Sequence, residues 1–166
     1  MKPDGRSIHK DKEALNLEEE ALRASGIEEN VRIAHYQNQL GSLVRKFIED
    51  TSPTLHLFSR AEALFHWLWE EKPYRYRSRG HHTLNDVIDA QLAEGNQPVG
   101  NCLGLTLLYD CLLSRMGISG QAVYLEDAFG KGPHVLPLLQ TEAFMIELEN
   151  SLPAGYDYSS MSRPSV

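Results

Sequence analysis

From Asn101 to Met116 the chain reads NCLGLTLLYDCLLSRM, and Leu103, Leu105, Leu107, Leu108, Leu112, Leu113 and Met116 leave no broad polar face on a helix. A helix apolar on most of its circumference belongs at the centre of a domain, so the remaining chain is expected to wrap it. The first fifty residues read as helix broken at Ser25-Gly26, with Leu40, Leu43, Val44, Phe47 and Ile48 forming one apolar face after the break. Before it, Glu18, Glu19 and Glu20 mark a solvated helix or arm. Ser59 and Glu62 have the spacing of a capping box ahead of the stripe Ala61, Leu64, Phe65 and Leu68, which Pro73 halts. Thr83 to Asp86 offers a similar start for Leu84, Val87, Ile88 and Leu92, with Gly95 as the stop.

Gly117 ends the central helix, and the period then changes. Three β-favouring runs follow: QAVYLE (121–126), HVLPLL (134–139) and AFMIELE (143–149). Helices followed by strands predict an α+β fold in which N-terminal helices and a central buried helix pack on a small antiparallel sheet. The expected organisation is a helical segment over 1–50 that packs on a core over 51–158, with a flexible tail at 159–166. A chain of 166 residues buries roughly 70% of its unfolded surface, enough for one core without a metal or disulfide staple.

A net charge of −7 repels polyanions, so neither nucleic acid nor an anionic membrane is an expected partner. KPYRYRSRGHH, Lys72 to His82, runs against that balance. It reads as a solvated connector between helices, with RNA contact through its arginines and tyrosines as the alternative. The N-terminus lacks the apolar stretch of a secretory signal and no run is long enough to span a bilayer, which points to the cytoplasm. The two cysteines, Cys102 and Cys111, stand about 13 Å apart along one helix, too far for a disulfide. With scattered histidines they do not match a zinc pattern, and no metal or cofactor is expected.

Asn101 is a favoured N-cap residue, which places Cys102 in the first helical turn. Unpaired backbone amides and the helix dipole favour a thiolate there. Cys111, half a revolution away among leucines, reads as core. A thiolate nucleophile needs a base and the base an orienting acceptor. His134 opens the second strand, and a symmetric hairpin about Thr141-Glu142 would put Glu149 directly opposite it. Glu147 shares that face and stays a candidate, as does Asn150 if the turn shifts.

The segments AEALFHWLWEEKPYRY, VGNCLGLTLLY, GPHVLPLL and IELEN together resemble the transglutaminase-like superfamily of papain-like cysteine enzymes, in its small bacterial version, over residues 55 to 158. The resemblance implies a nucleophile at Cys102, a base at His134 and an acid third member. The chain departs from the family by carrying Glu149 or Glu147 in place of Asp, and Val135 where an aromatic residue follows the His. It further implies acyl transfer through a thioester on a peptide or protein substrate, in a peptidase, amidase or deamidase. An oxyanion would be held by the Cys102 amide with Gln97 or Asn101 near it, and Tyr124 and Asp127 would line the approach. The other reading is a non-catalytic module that binds a peptide or protein on the same fold.

Overall fold

A computed structural model describes residues 16–51, 56–128, 130–140 and 145–156, so the first fifteen residues, the Thr141-Glu142 turn and the tail from 157 lie outside the described residues. Among these residues are five helices and three strands: α1 (16–24), α2 (Asn30–Asp50), α3 (Leu57–Glu71), α4 (Leu84–Leu92), α5 (Cys102–Arg115), β1 (Gly120–Leu125), β2 (His134–Gln140) and β3 (Met145–Glu147). The fold is α+β, with the helices packed on an antiparallel sheet of order β1-β2-β3. No helix among the described residues is long and apolar enough to cross a membrane.

The apolar circumference of α5 does what its sequence demands. From Gly104 to Leu113 every residue except Leu107 is buried, with α2, α4, β1 and β2 around it. Each leucine taken fully out of water contributes about 1.5–3 kcal/mol, so this helix carries a large share of the driving force for folding. Tyr109 is buried among those leucines and donates its hydroxyl to the Ala61 carbonyl of α3 (2.7 Å). Gly117, at φ +74°, ends the helix in a left-handed turn: Ile118 N–H reaches back to Leu113 O and Gly117 N–H to Ser114 O. The same pair of bonds closes α1 at Gly26, with Ile27 and Ile118 buried behind the two turns.

Several local expectations change. Glu18 is not solvated: its carboxylate is fully buried and takes a two-pronged contact from Arg115 at the far end of α5 (Nε–Oε1 2.5 Å, NH2–Oε2 2.8 Å). Burial raises its pKa, and the guanidinium opposes that rise. Ile48 stays exposed, because the stripe on α2 turns inward along Ile33, Tyr36, Leu40, Leu43 and Phe47. Ser59 and Glu62 do not form a capping box, because α3 begins three residues earlier than that box requires and is capped by His56 Nδ1, which accepts from Phe58 N–H (3.3 Å). Thr83 is the N-cap of α4, but its hydroxyl makes no capping bond; Ser25 Oγ, from the turn after α1, accepts from Leu84 N–H instead (3.0 Å).

Two contacts inside the core lend themselves to measurement. A Cβ added at Gly104 would lie 2.4 Å from the His81 carbonyl oxygen and 2.6 Å from Val87 Cγ1. Gly104→Ala is therefore expected to destabilise the protein by about 1–3 kcal/mol, read by urea unfolding. Asp110, on α5 facing Gly120, has Oδ1 buried without a hydrogen-bond partner, and burial pushes its pKa up to about 7. The unfolded chain loses this proton near the ordinary value of 3.8 while the folded one keeps it to about 7, so stability falls as pH climbs through that window. Asp110→Asn should flatten that part of the slope and raise the melting temperature above pH 7, in thermal melts across the range.

Candidate active site

The approach to α5 is fixed by backbone. Residues 75–81, after Pro73, run alongside 99–101: Val99 N–H and Gly100 N–H both donate to Arg75 O (2.7 and 3.1 Å), Arg77 N–H to Gly100 O (2.9 Å) and Asn101 N–H to His81 O (3.3 Å). Tyr76 and Gly100 form a parallel bridge within this pairing. The basic segment thus forms one side of the approach to α5, while Pro73, Tyr74, residues 76–80 and His82 stay exposed, as a solvated connector would be. Lys72 is buried with its ammonium on the carbonyls of Ala93 and Gly95. Arg75 is buried over the Trp69 ring (5.8 Å to its centroid), where desolvation pulls its pKa down to about 9. Neither cation is available to a phosphate, which leaves Arg77 and Arg79 as the exposed arginines of the segment.

Asn101 caps α5 by accepting the Gly104 N–H on Oδ1 (3.0 Å), so this oxygen is occupied in holding the helix end. Cys102 is the first helical residue and is half-buried. The His134 ring and the backbone N–H groups of Val135 and Leu103 are the groups that act on its sulfur. The His134 contact pulls the thiol pKa down; burial opposes this and the two backbone bonds add to it. Cys111 lies buried in the middle of α5, where burial drives its pKa far up and it stays a neutral thiol.

His134 opens β2 opposite Leu125, and its Nε2 lies 2.7 Å from Glu149 Oε2. With Nε2 taken by the carboxylate, Nδ1 is the nitrogen left for the thiol. The bond to Cys102, followed by that to Glu149, pushes the imidazole pKa up to about 10 against the effect of burial. Burial works to raise the Glu149 carboxyl, but hydrogen bonds from His134 and Ser151 outweigh it and hold the group below the ordinary carboxylate range. Glu149 Oε1 accepts from Ser151 N–H (3.0 Å) and from Ser151 Oγ–H (2.6 Å). The arrangement sets in sequence a thiol whose pKa is pulled down, an imidazole whose pKa is raised and a carboxylate whose pKa is held low.

The route by which Glu149 arrives differs from the symmetric hairpin. Glu147 pairs with Leu138 and Ile146 with Leu139, a register two residues away from that expectation, and Leu148 N–H bonds Pro137 O beyond the last pair. A slip of two keeps the face, so Glu149 reaches His134 diagonally from the level of Leu136. Glu147 stays exposed farther along the sheet, and Asn150 is buried with its Nδ2 unpartnered. The chain then folds back tightly, with Glu149 N–H on Gly155 O (2.8 Å); a Cβ at Gly155 would fall 2.0 Å from the Glu149 carbonyl. Gln97 is exposed in the loop before the doorway. Tyr124 pairs with Val135 and so alternates to the face opposite His134, while Asp127 accepts from Gly132 N–H (3.0 Å) and braces its own loop.

Two residues of the site were not assigned to it from sequence. Tyr76 lies within reach of the charges on Cys102 and Glu149: burial chiefly, and then those two groups, raise its phenol. No spacing rule links it to a cysteine twenty-six positions on. Ser151, two residues past an acid, does fit the local pattern in which a side chain accepts from backbone two positions ahead. Among the described residues no cluster of three His, Cys, Asp or Glu side chains could hold a metal ion.

Compared with models of protein families, with curated proteins and with solved structures, the chain matches none.

The electrostatics give a direct expectation. Iodoacetamide should label Cys102 at pH 6 to 7 at least about a hundredfold faster than Cys111, with mass spectrometry of the labelled peptides as the readout. His134→Ala should move the labelling midpoint of Cys102 up toward an unperturbed thiol value of about 8.5.

Proposed function

We propose that this protein is a cysteine hydrolase of the transglutaminase-like kind, with its core over residues 51–158, acting on an amide of a peptide or protein. The observation that carries the reading is Cys102 at the N-terminus of a buried helix, beside a His134 that is itself hydrogen-bonded to Glu149. A lone thiol or a lone His–Glu pair would have simpler structural explanations; the three in sequence match what activated nucleophiles require.

In this mechanism the Cys102 thiolate attacks the amide carbonyl carbon, and the carbonyl π electrons move onto oxygen. The Cys102 backbone N–H, unpaired at the first turn of α5, is placed to receive that oxyanion, with a second donor from Gln97 or Tyr76. Collapse of the intermediate breaks the C–N bond as His134 Nδ1–H protonates the departing nitrogen, leaving a thioester on Cys102. Neutral His134, held by Glu149, then takes a proton from water as its oxygen attacks the thioester, and the acid leaves with Cys102 restored. Hydrolysis is favoured over amine transfer because transfer must exclude water, and Cys102 and His134 are both partly open to solvent.

The test is turnover against two readouts, new amines from peptide cleavage and ammonia from glutamine side chains. Cys102→Ala is expected to abolish either activity, and Glu149→Gln to lower kcat by about a hundredfold, within the range contributed by positioned proton transfer. Glu147→Gln should leave the rate unchanged. A wild-type protein that turns over neither class, yet captures a peptide equally well with Cys102→Ala, would instead be the binding module on the same fold.

A further inference from the structure

We propose that Ser151 is a positioning residue: it clamps one oxygen of Glu149 so that the other is presented to the His134 ring. The consequence for turnover rests on the hydrolase reading above, whereas the orientation itself stands on geometry alone.

A glutamate has one more rotatable bond than an aspartate, and each such bond has three staggered wells. A carboxylate on the longer arm therefore meets a histidine productively only if something removes the added freedom. Ser151 supplies two contacts to the same atom, its N–H at 3.0 Å and its hydroxyl at 2.6 Å from Glu149 Oε1. Among the described residues Oε2 is left to His134, at 2.7 Å. The segment behind this clamp is itself held, by Leu152 N–H on Glu149 O (3.2 Å) and Gly155 N–H on Leu152 O (3.0 Å). All three groups on the carboxylate donate to it, so Glu149 acts as an acceptor only and His134 must carry its proton on Nε2 when neutral. Nδ1 is thereby kept as the position that exchanges a proton with Cys102. Loss of the Ser151 hydroxyl would loosen the carboxylate and weaken its hold on that tautomer and on the imidazolium.

The experiment follows the His134 ring by NMR through a pH titration of the whole chain without substrate, beside the Cys102 alkylation rate at pH 6. Among the described residues the titratable groups around the ring are Cys102 from α5, Glu149 from the turn after β3 and, next to both, Tyr76 from the 75–81 segment. With Ser151→Ala, His134 should lose its proton about one pH unit lower and Cys102 should alkylate about tenfold more slowly, the effect of one hydrogen bond to a charged group. Ser151→Thr, which keeps the hydroxyl, should retain the wild-type values, and Ser151→Val, of the same shape, should not. In a Glu149→Gln background Ser151→Ala should change neither reading. An unchanged His134 midpoint in a folded Ser151→Ala protein, or equal midpoints for the Thr and Val variants, would overturn the proposal. A wild-type protein that hydrolyses nothing overturns the hydrolase reading and leaves this titration to decide the role of Ser151.

Discussion

A helix with apolar residues on nearly every side can expose little but its ends, and α5 is such a helix. Its burial forces four other elements to pack around it, and its first turn becomes the place where unpaired amides meet solvent. The thiol of Cys102 sits at that end, beside the one region of the helix where negative charge is stabilised. The positions of Asn101, His81 and the 75–81 segment follow from the same constraint. Each supplies a hydrogen bond that brings the chain into α5 along one path. Gly100 and Gly104 let the His81 carbonyl and Val87 approach that path closely, since a Cβ at either would collide with both.

The electrostatics of the site are set by distribution more than by exotic environment. His134 stands between the Cys102 sulfur and the Glu149 carboxylate, which together raise its pKa, and the carboxylate is in turn supported by Ser151. Elsewhere the chain tolerates buried charge under different terms. Glu18 finds a guanidinium, Lys72 finds two carbonyls, Arg75 finds the face of Trp69, and Asp110 avoids the problem by keeping its proton. These four stabilise or burden the scaffold, whereas the charges at Cys102 and His134 remain close enough to solvent for chemistry.

The readable parts of the sequence were those governed by local rules. The central helix, its cap at Asn101, its end at Gly117 and the contrast between the two thiols follow from periodicity and capping, and so does the order of helices and strands. His134 at a strand start and Glu149 on its face were within reach because alternation along a strand survives a slip of two residues. The distance of that slip was not legible, because register depends on turn geometry that residue types leave underdetermined. Long-range pairings were also hidden. Nothing in three consecutive glutamates marks one of them for Arg115, and nothing in a row of arginines tells which one a tryptophan will cover. Tyr76 belongs to the same class, since it enters the site through backbone pairing with Gly100.

The helix α1 fastens two distant parts of the fold. Its closing turn gives a hydroxyl to the start of α4, and its buried carboxylate holds the last turn of α5. Val87 of α4 is packed where Gly100 and Gly104 would carry side chains, so the entry to Cys102 is supported from a helix that α1 helps to start. A fragment beginning after α2 would retain Cys102, His134 and Glu149 and lose both fastenings. The boundary of the candidate site therefore lies well inside the boundary of the smallest piece able to hold it in shape.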